Sequence, residues 1–173
     1  MNMKLIALFL LTLAVLPAIA FAVPKSVSTY DGNAKPNGNA GKSTVGHLYL
    51  VEKDPTTWAI VQDGSWGKMN YNTKNSKFDF NGHKLTPSTS YSLIYYPDPW
   101  PGAGCKLLGT GTTNKGGNVH IKGTFDFSSI PIATDANVAN GAKIWLVSAA
   151  DVNCLTGMTA WNPTEYLFEY SLI

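Results

Sequence analysis

The sequence predicts an all-β protein: a single antiparallel β-sandwich of about eight strands with Greek-key-like connections. Short runs rich in β-branched and aromatic residues recur from residue 45 onward. Glycine, proline, asparagine and aspartate separate these runs, as they do in turns. No stretch beyond residue 44 keeps an apolar period of 3.6 residues, so long helices are not expected. An open barrel is the alternative arrangement of the same strands.

Eight runs are predicted to be strands. They are Val45–Glu52, Thr57–Gln62, Trp66–Asn72, Ser76–Phe80, Tyr91–Tyr96, Asn118–Phe125, Lys143–Ser148 and Glu165–Ile173. The clearest alternation is in the sixth run, where Val119, Ile121 and Phe125 share one face. His120 and Lys122 lie on the opposite face, which predicts one buried and one solvated side.

Turn residues separate the predicted strands. Asp63-Gly64, Asn81-Gly82 and Gly116-Gly117 are dipeptides of the kind that connect antiparallel neighbours. Residues Thr134–Asn140 predict one helical turn before a glycine. The last run is apolar on both faces except at Glu169 and Ser171, so it is predicted to be a central strand or one exchanged with another chain.

The first 44 residues predict a leader and a linker. Residues 1–22 carry one positive charge, an apolar run, Pro17, and small residues at Ala20 and Ala22, which is typical of a cleavable signal peptide. The apolar run is shorter than the ~20 residues that span a membrane, so no membrane span is expected after cleavage. Residues 23–44, rich in glycine and asparagine, predict a flexible linker before a domain at 45–173. The expected location is secreted or at the cell surface.

Composition narrows the classes of partner. The chain of 173 residues is 45% apolar and 12% aromatic, which excludes a disordered protein. Its formal charge of +2 gives no strong attraction to nucleic acid. All 13 basic residues are lysines, so the bidentate recognition of phosphate or carboxylate that arginine provides is absent. An envelope polymer, a glycan or another protein is the expected kind of partner, and no nucleic acid is expected.

The two cysteines, Cys105 and Cys154, are predicted to form a disulfide, because an exported chain meets an oxidising compartment. In the chain-entropy account, closing a loop of about 50 residues stabilises the fold by roughly 4 kcal/mol. Two free thiols are the alternative. A structural zinc site needs more ligands at short spacing than these two residues supply.

Aromatic residues on two long loops are the candidate ligand-binding residues. Trp100 lies in a loop between Tyr96 and Cys105 that contains three prolines, which fix φ and stiffen the loop. Trp161 lies in the loop that carries the second cysteine. The predicted site comprises Tyr96, Asp98, Trp100 and Trp161. Tyr95 and Tyr96 alternate along one strand, so one of them is expected outside, whereas Trp58, Trp66 and Trp145 are predicted to be core residues.

The sequence predicts no catalytic residue, metal or cofactor. The three histidines, His47, His83 and His120, are not spaced as a zinc pair, and no Gly-x-Ser-x-Gly motif occurs. A hydrolase that uses Asp98 or Glu165 is the catalytic alternative, since glycoside hydrolysis needs two carboxyl groups across a cleft.

Several segments resemble a group of secreted proteins of unknown function associated with methanogenic archaea and some bacteria. The resemblance covers residues 45–173, and its segments are Leu48–Asp54, Trp66–Met69, Tyr91–Gly102, Gly117–Ile121, Gly141–Val147 and Trp161–Tyr170. It implies export and a β-fold, and it brings no activity with it.

Three functions are therefore compared. The first is an exported, non-catalytic β-sandwich that acts as an envelope component or interaction module. The second is a carbohydrate-binding module centred on Trp100, Tyr96 and Trp161. The third is a small secreted hydrolase.

Overall fold

The protein is built from two antiparallel sheets that face each other, as a computed structural model of residues 45–130, 142–170 and 173 shows. The strands are β1 (Val45–Val51), β2 (Trp66–Asn72), β3 (Lys77–His83), β4 (Ser90–Tyr96), β5 (Lys106–Thr112), β6 (Val119–Thr124), β7 (Lys143–Ser148), β8 (Val152–Asn153), β9 (Gly157–Met158) and β10 (Phe168–Glu169). Three 3₁₀ turns lie at Phe127–Ser129, Ala149–Asp151 and Pro163–Glu165. The prediction of an all-β sandwich of about eight strands is confirmed, because within the described residues the two sheets hold five and three strands.

The larger sheet has the order β10-β1-β2-β3-β6, and the smaller sheet has the order β5-β4-β7. β8 and β9 form a separate two-stranded ribbon. The chain crosses between the sheets after β3 and again after β5, and β6 returns to lie beside β3, which gives the predicted Greek-key-like path.

The C-terminal segment links the two sheets of its own chain. Phe168 and Glu169 pair with β1, whereas Leu167 exchanges two backbone hydrogen bonds of 2.9 Å with Leu146 of β7. The strand predicted over Glu165–Ile173 is thus shorter than expected. Its partners on both sides, β1 and β7, belong to the same chain.

The main core lies between the sheets. Phe78 and Phe80 on β3 and Val119 and Ile121 on β6 are buried there, while the outward residues of the two strands are exposed or half-buried. The predicted alternation of these strands is confirmed. Burying apolar side chains on one face contributes about 25 cal/mol per Å², which is the main force that holds the two sheets together.

The predicted strand Thr57–Gln62 is wrong. The carboxylate of Asp54 accepts hydrogen bonds from the backbone N–H groups of Thr56 (3.0 Å) and Thr57 (2.7 Å), which closes a turn. Trp58 then takes a positive φ of 60°, and only an isolated bridge between Lys53 and Ile60 remains.

Sequence reasoning missed β5, because its run Lys-Leu-Leu-Gly-Thr-Gly-Thr contains two glycines. A Cβ atom at Gly109 would lie 2.8 Å from Ile121, and one at Gly111 would lie 2.9 Å from Ile121 and Val119. The glycines therefore allow β5 to pack closely against β6 where the sheets meet.

The dipeptide Asn81-Gly82 was predicted to be a turn, and it lies inside β3 instead. Gly82 faces the core, where a Cβ atom would meet Leu85 and Val119 at 2.9 Å. The turn that joins β2 to β3 follows Asn72, whose side-chain oxygen accepts from the N–H of Lys74 at 2.9 Å.

Two strands of the smaller sheet, β4 and β7, are buried on both faces. Residues of β4 and β7 that point away from the main core form a second apolar cluster with the loops: Ile94, Tyr96, Cys105, Trp145, Val147, Met158, Tyr166 and Phe168. The expectation that either Tyr95 or Tyr96 is outside is wrong, because they are 2% and 3% exposed.

The predicted disulfide is present. Cys105 and Cys154 are bonded, with their Cα atoms 4.8 Å apart, and the bond joins the loop after β4 to the ribbon β8–β9. The predictions for residues 1–22 and 23–44, and for a helical turn at Thr134–Asn140, lie outside the described residues. In the part of the chain that the structure describes, no helix is long and apolar enough to cross a membrane.

Candidate binding site: an aromatic pocket

A pocket of about 770 Å³ opens over the outer face of the smaller sheet. Strands β4, β7 and β10 supply its base, and the loops after β1, β4 and β9 supply its sides. Its lining comprises Trp58, Tyr96, Asp98, Pro99, Trp100, Lys143, Trp145, Trp161 and Glu169. Five aromatic rings and three charged groups thus share one cavity of the size that small ligands occupy.

Two stacked rings form the base of the pocket. Tyr96 on β4 and Trp145 on β7 are parallel within 8°, with their ring centroids 3.8 Å apart. Both rings are almost fully buried. Phe168 meets Trp145 edge-on with a centroid distance of 5.0 Å, which braces the base from β10.

Three indole rings with large exposed surfaces form the rim. Trp58, Trp100 and Trp161 are 42%, 52% and 43% exposed. The rings of Trp58 and Trp161 are nearly parallel, at 14° and 6.5 Å, whereas Trp100 meets Trp161 edge-on at 83° and 5.4 Å. The indoles therefore present flat faces in two nearly perpendicular directions.

The loop that carries Trp100 is stiff. Three prolines flank Asp98 and Trp100 and restrict the backbone, and Gly102 donates its N–H to the carbonyl oxygen of Pro99 at 2.9 Å. The disulfide at Cys105 closes the loop. An aromatic side chain on such a loop loses little conformational entropy when a ligand binds.

A buried polar network positions Trp161. The carboxylate of Asp151, only 7% exposed as a residue, accepts hydrogen bonds from the Tyr166 hydroxyl at 2.7 Å and the Asn162 amide at 2.9 Å. The backbone N–H of Asn162 donates to the same hydroxyl at 3.1 Å. Burial, followed by the hydrogen bond to Asp151, raises the pKa of Tyr166. The residue after Trp161 is therefore tied to the protein interior.

Each carboxylate of the pocket is paired with a lysine: Asp98 with Lys143 of the lining, and Glu169 with Lys53, which lies beside the lining. The Lys143 ammonium donates to the Asp98 carboxylate, and both side chains are less than 10% exposed. Lys53 pairs with Glu169 at 3.2 Å, and the indole N–H of Trp145 donates to the other Glu169 oxygen. Two cations thus face two anions, and the set is neutral overall.

The ammonium groups also lie over aromatic rings. Lys53 is 5.2 Å from the centroid of Trp58, and Lys143 is 5.4 Å from that of Tyr96. Burial lowers the pKa of Lys143, while the negative charge of Glu169 acts in the opposite direction. The protein's own lysines therefore occupy the positions that a cationic ligand would take.

The structure brings all four predicted ligand-binding residues together. Tyr96, Asp98, Trp100 and Trp161 line this one pocket. Sequence reasoning missed its remaining members. Trp58 was predicted to be a core residue, yet it is exposed at the rim, while Trp145 is buried as predicted and Trp66 is half-buried on the other sheet.

Lys143 and Glu169 were also missed. Lys143 is a lysine at the start of an apolar strand and is only 4% exposed, an arrangement that requires a partner. The one signal of this role in the sequence was a lysine at the start of an apolar run. Glu169 was noted only as a polar residue in an apolar run, whereas β10 turns it towards Trp145 and Lys53.

Other reactive residues lie elsewhere. Glu165, the alternative catalytic acid, is an exposed residue of a 3₁₀ turn and does not line the pocket. The histidines are on the larger sheet, where His47 bonds Asn70 at 2.7 Å and His120 bonds Asp79 at 2.9 Å. Within residues 45–130, 142–170 and 173, no cluster of three or more His, Cys, Asp or Glu side chains could hold a metal ion.

Comparisons with protein-family models, with curated proteins and with solved structures gave no significant match to this chain. The resemblance to secreted proteins of unknown function therefore stays a prediction, and the functional argument rests on the pocket alone.

Proposed function

We propose that the protein is a non-catalytic binding module for neutral carbohydrate and that the aromatic pocket is its binding site. The single observation that carries this proposal is the set of three exposed indole rings around a base of stacked rings and paired charges. The interaction module and the carbohydrate-binding module considered from the sequence thus become one hypothesis.

The aromatic rim supports a sugar ligand. A pyranose ring has a flat face of C–H groups that packs against an aromatic ring, and its hydroxyl groups point outward around its edge. Trp100 and Trp161 present perpendicular faces, which suits a ring that rests on one indole while the other borders it. Trp58 extends the apolar surface beyond Trp161.

The internal ion pairs favour a neutral ligand. The carboxylate oxygens of Asp98 and Glu169 can accept hydrogen bonds from hydroxyl groups, and the ammonium groups can donate. Because each charge is already paired within the protein, the pocket has no net charge with which to attract an ion. A quaternary ammonium ligand fits less well, since Lys53 and Lys143 already lie over the rings.

Export of the protein is part of the proposal. The disulfide between Cys105 and Cys154 supports an oxidising compartment, where glycans of an envelope or of the surroundings are accessible. The predicted leader supports the same location.

The test is a binding measurement on a panel of neutral oligosaccharides, by calorimetry or glycan array. Replacing Trp100→Ala is expected to weaken binding about tenfold, or ~1.4 kcal/mol, because one stacking face is lost. Trp161→Ala is expected to act similarly.

Leu155→Ala is the matched control, since Leu155 is 91% exposed on the neighbouring ribbon and does not line the pocket. This variant is expected to bind as the parent protein does. Absence of binding to every neutral glycan, or equal binding by the Trp100 variant, would contradict the proposal.

A small glycoside hydrolase is the second candidate, because two carboxyl groups, Asp98 and Glu169, share the pocket. Each is held in an ion pair with its own lysine, whereas glycoside hydrolysis needs one carboxyl group that donates a proton. Turnover of a bound glycan that is lost in Glu169→Gln, with binding retained, would establish the hydrolase instead.

A further inference from the structure

The outer face of the larger sheet is a second surface with a different chemistry. The outward residues of β1, β2, β3 and β6 form rows in register across it: Tyr49–Lys68–Asn81–His120, His47–Asn70–Asp79–Lys122 and Val45–Asn72–Lys77–Thr124. Ten of these twelve positions carry amide, hydroxyl, imidazole or charged side chains, and Tyr49 and Val45 are the other two. This face is separate from the aromatic pocket, which lies over the smaller sheet.

The face is basic. Its cations are Lys68, Lys77 and Lys122. Asp79 is the one carboxylate in the four strands. Positive charge is thus concentrated on one side of a protein whose aromatic pocket is neutral.

Asp79 is engaged by its neighbours. Its carboxylate accepts hydrogen bonds from His120 at 2.9 Å and from the amide of Asn81 at 2.8 Å. The hydrogen bond from His120 is the main cause that lowers the pKa of Asp79. Lys122 lies opposite Asp79 in register and its charge also lowers this pKa. The face keeps a surplus of positive charge, because three lysines stand against this one carboxylate.

A groove of about 600 Å³ runs along the part of this face near the β2–β3 turn. Six of its lining residues point outward from β2, β3 and β6: Asn70, Asn72, Lys77, Asp79, Lys122 and Thr124. The side-chain oxygen of Asn70 bonds to His47, and that of Asn72 accepts from the N–H of Lys74. The side-chain amide N–H groups of both residues can therefore donate to a ligand.

We propose that this groove is a second binding site and that it takes an acidic polysaccharide. Carboxylate groups of the polymer pair with Lys77 and Lys122, and its hydroxyl groups accept hydrogen bonds from Asn70 and Asn72. A chain of sugar rings with repeated negative charge can follow the row of basic side chains across the strands. The proposal does not depend on the function of the aromatic pocket.

Charge complementarity alone also fits nucleic acid, and the residues between the cations favour the glycan. The lysines of the face are spaced by asparagine and threonine, which suit hydroxyl-rich ligands.

The test uses polygalacturonate, a linear glycan with a carboxylate on each ring, and its fully methyl-esterified form as the uncharged counterpart. The parent protein is expected to bind the acidic polymer, more weakly as salt is raised, and not the ester. Lys77→Gln with Lys122→Gln is expected to reduce affinity about tenfold, since two charge pairs are lost.

Lys106→Gln with Lys115→Gln is the matched control, because it removes the same charge from positions outside the groove. This control and Trp100→Ala are expected to keep full affinity for polygalacturonate. Equal binding of the ester, an unchanged affinity in the Lys77 and Lys122 variant, or a loss in Trp100→Ala would each overturn the proposal. Tighter binding of single-stranded DNA at the same residues would overturn the assignment to a glycan.

Discussion

The two sheets of this protein differ in what covers their outer faces. In the smaller sheet, β4 and β7 have apolar residues on both faces, and loops joined by a disulfide lie over the outer one. The larger sheet has an apolar inner face and a polar, basic outer face. Each proposed site follows from this difference, because a covering of aromatic loops produces a pocket while an uncovered strand face presents rows of side chains.

The comparison shows that a strand's burial pattern depends on its surroundings. β3 alternates buried and half-buried residues because solvent reaches one side of it. All seven residues of β4 except the first are buried, although its sequence contains serine and three tyrosines. A second apolar layer outside the smaller sheet accounts for the difference.

The largest effect is expected from removal of the disulfide. Replacing Cys105 and Cys154 with alanine is predicted to lower the free energy of unfolding by about 4 kcal/mol, because the unfolded chain regains the entropy of an open loop. Urea denaturation measures the change.

Hydrogen exchange sharpens this prediction. Amide protection is expected to fall most in residues 97–105 and 149–164 and least in β2 and β3, since only the smaller sheet has its cover tied by the bond. An equal loss of protection in both sheets would contradict the distinction drawn here.

A smaller effect is expected at Tyr166, within the cover. Tyr166→Phe removes the hydrogen bond to Asp151 and is predicted to cost about 1–2 kcal/mol at neutral pH. The pKa of Tyr166 is raised in the folded state, so its stabilising contribution is complete below the unfolded pKa of 10.0 and falls as the pH rises above it.

Unfolding experiments between pH 8 and about 11 test the direction of this pH dependence. The parent protein should lose stability above pH 10 more steeply than the Phe variant does. Parallel pH curves for the two proteins would show that this hydroxyl is not the group responsible.

The smallest effect is expected on the uncovered face. Asp79→Asn is predicted to cost less than about 1 kcal/mol at pH 7, because the carboxylate is exposed and its pair with His120 is screened by solvent. The pKa of Asp79 is lowered on folding, so its contribution is present above the unfolded pKa of 3.8 and is lost as the pH falls through the folded value. The free energy of unfolding of the parent and of the Asn variant, measured as the pH is lowered from 7, gives the difference. A loss above about 2 kcal/mol at pH 7 would contradict the prediction.

Much of the fold could be predicted from local patterns. Strands such as β2 and β7 coincide with the predicted runs, and the alternation in β6 gave the correct buried face. Errors arose where a local feature overrode the pattern or where a glycine was read as a turn. Asp54 folds a turn ahead of Trp58, and Gly82 lies within a strand because a neighbouring strand packs against it.

The candidate site could be predicted only in part. Trp100 and Trp161 were found because each lies on a loop near a cysteine. Trp58, Lys143 and Glu169 come from three distant parts of the chain, and no sequence spacing relates them. Their meeting depends on the path of β10 and on the turn after β1.

The amino-acid sequence by itself determined the all-β class, the pairing partner of each cysteine and the aromatic character of two loops, because these depend on residue type and on period-two alternation between neighbours. Tertiary structure decided which strand faces are covered, which charges are paired and which tryptophans surround one cavity. Those outcomes depend on contacts between residues far apart in the chain, such as Lys53 with Glu169, and such contacts arise only when the sheets pack.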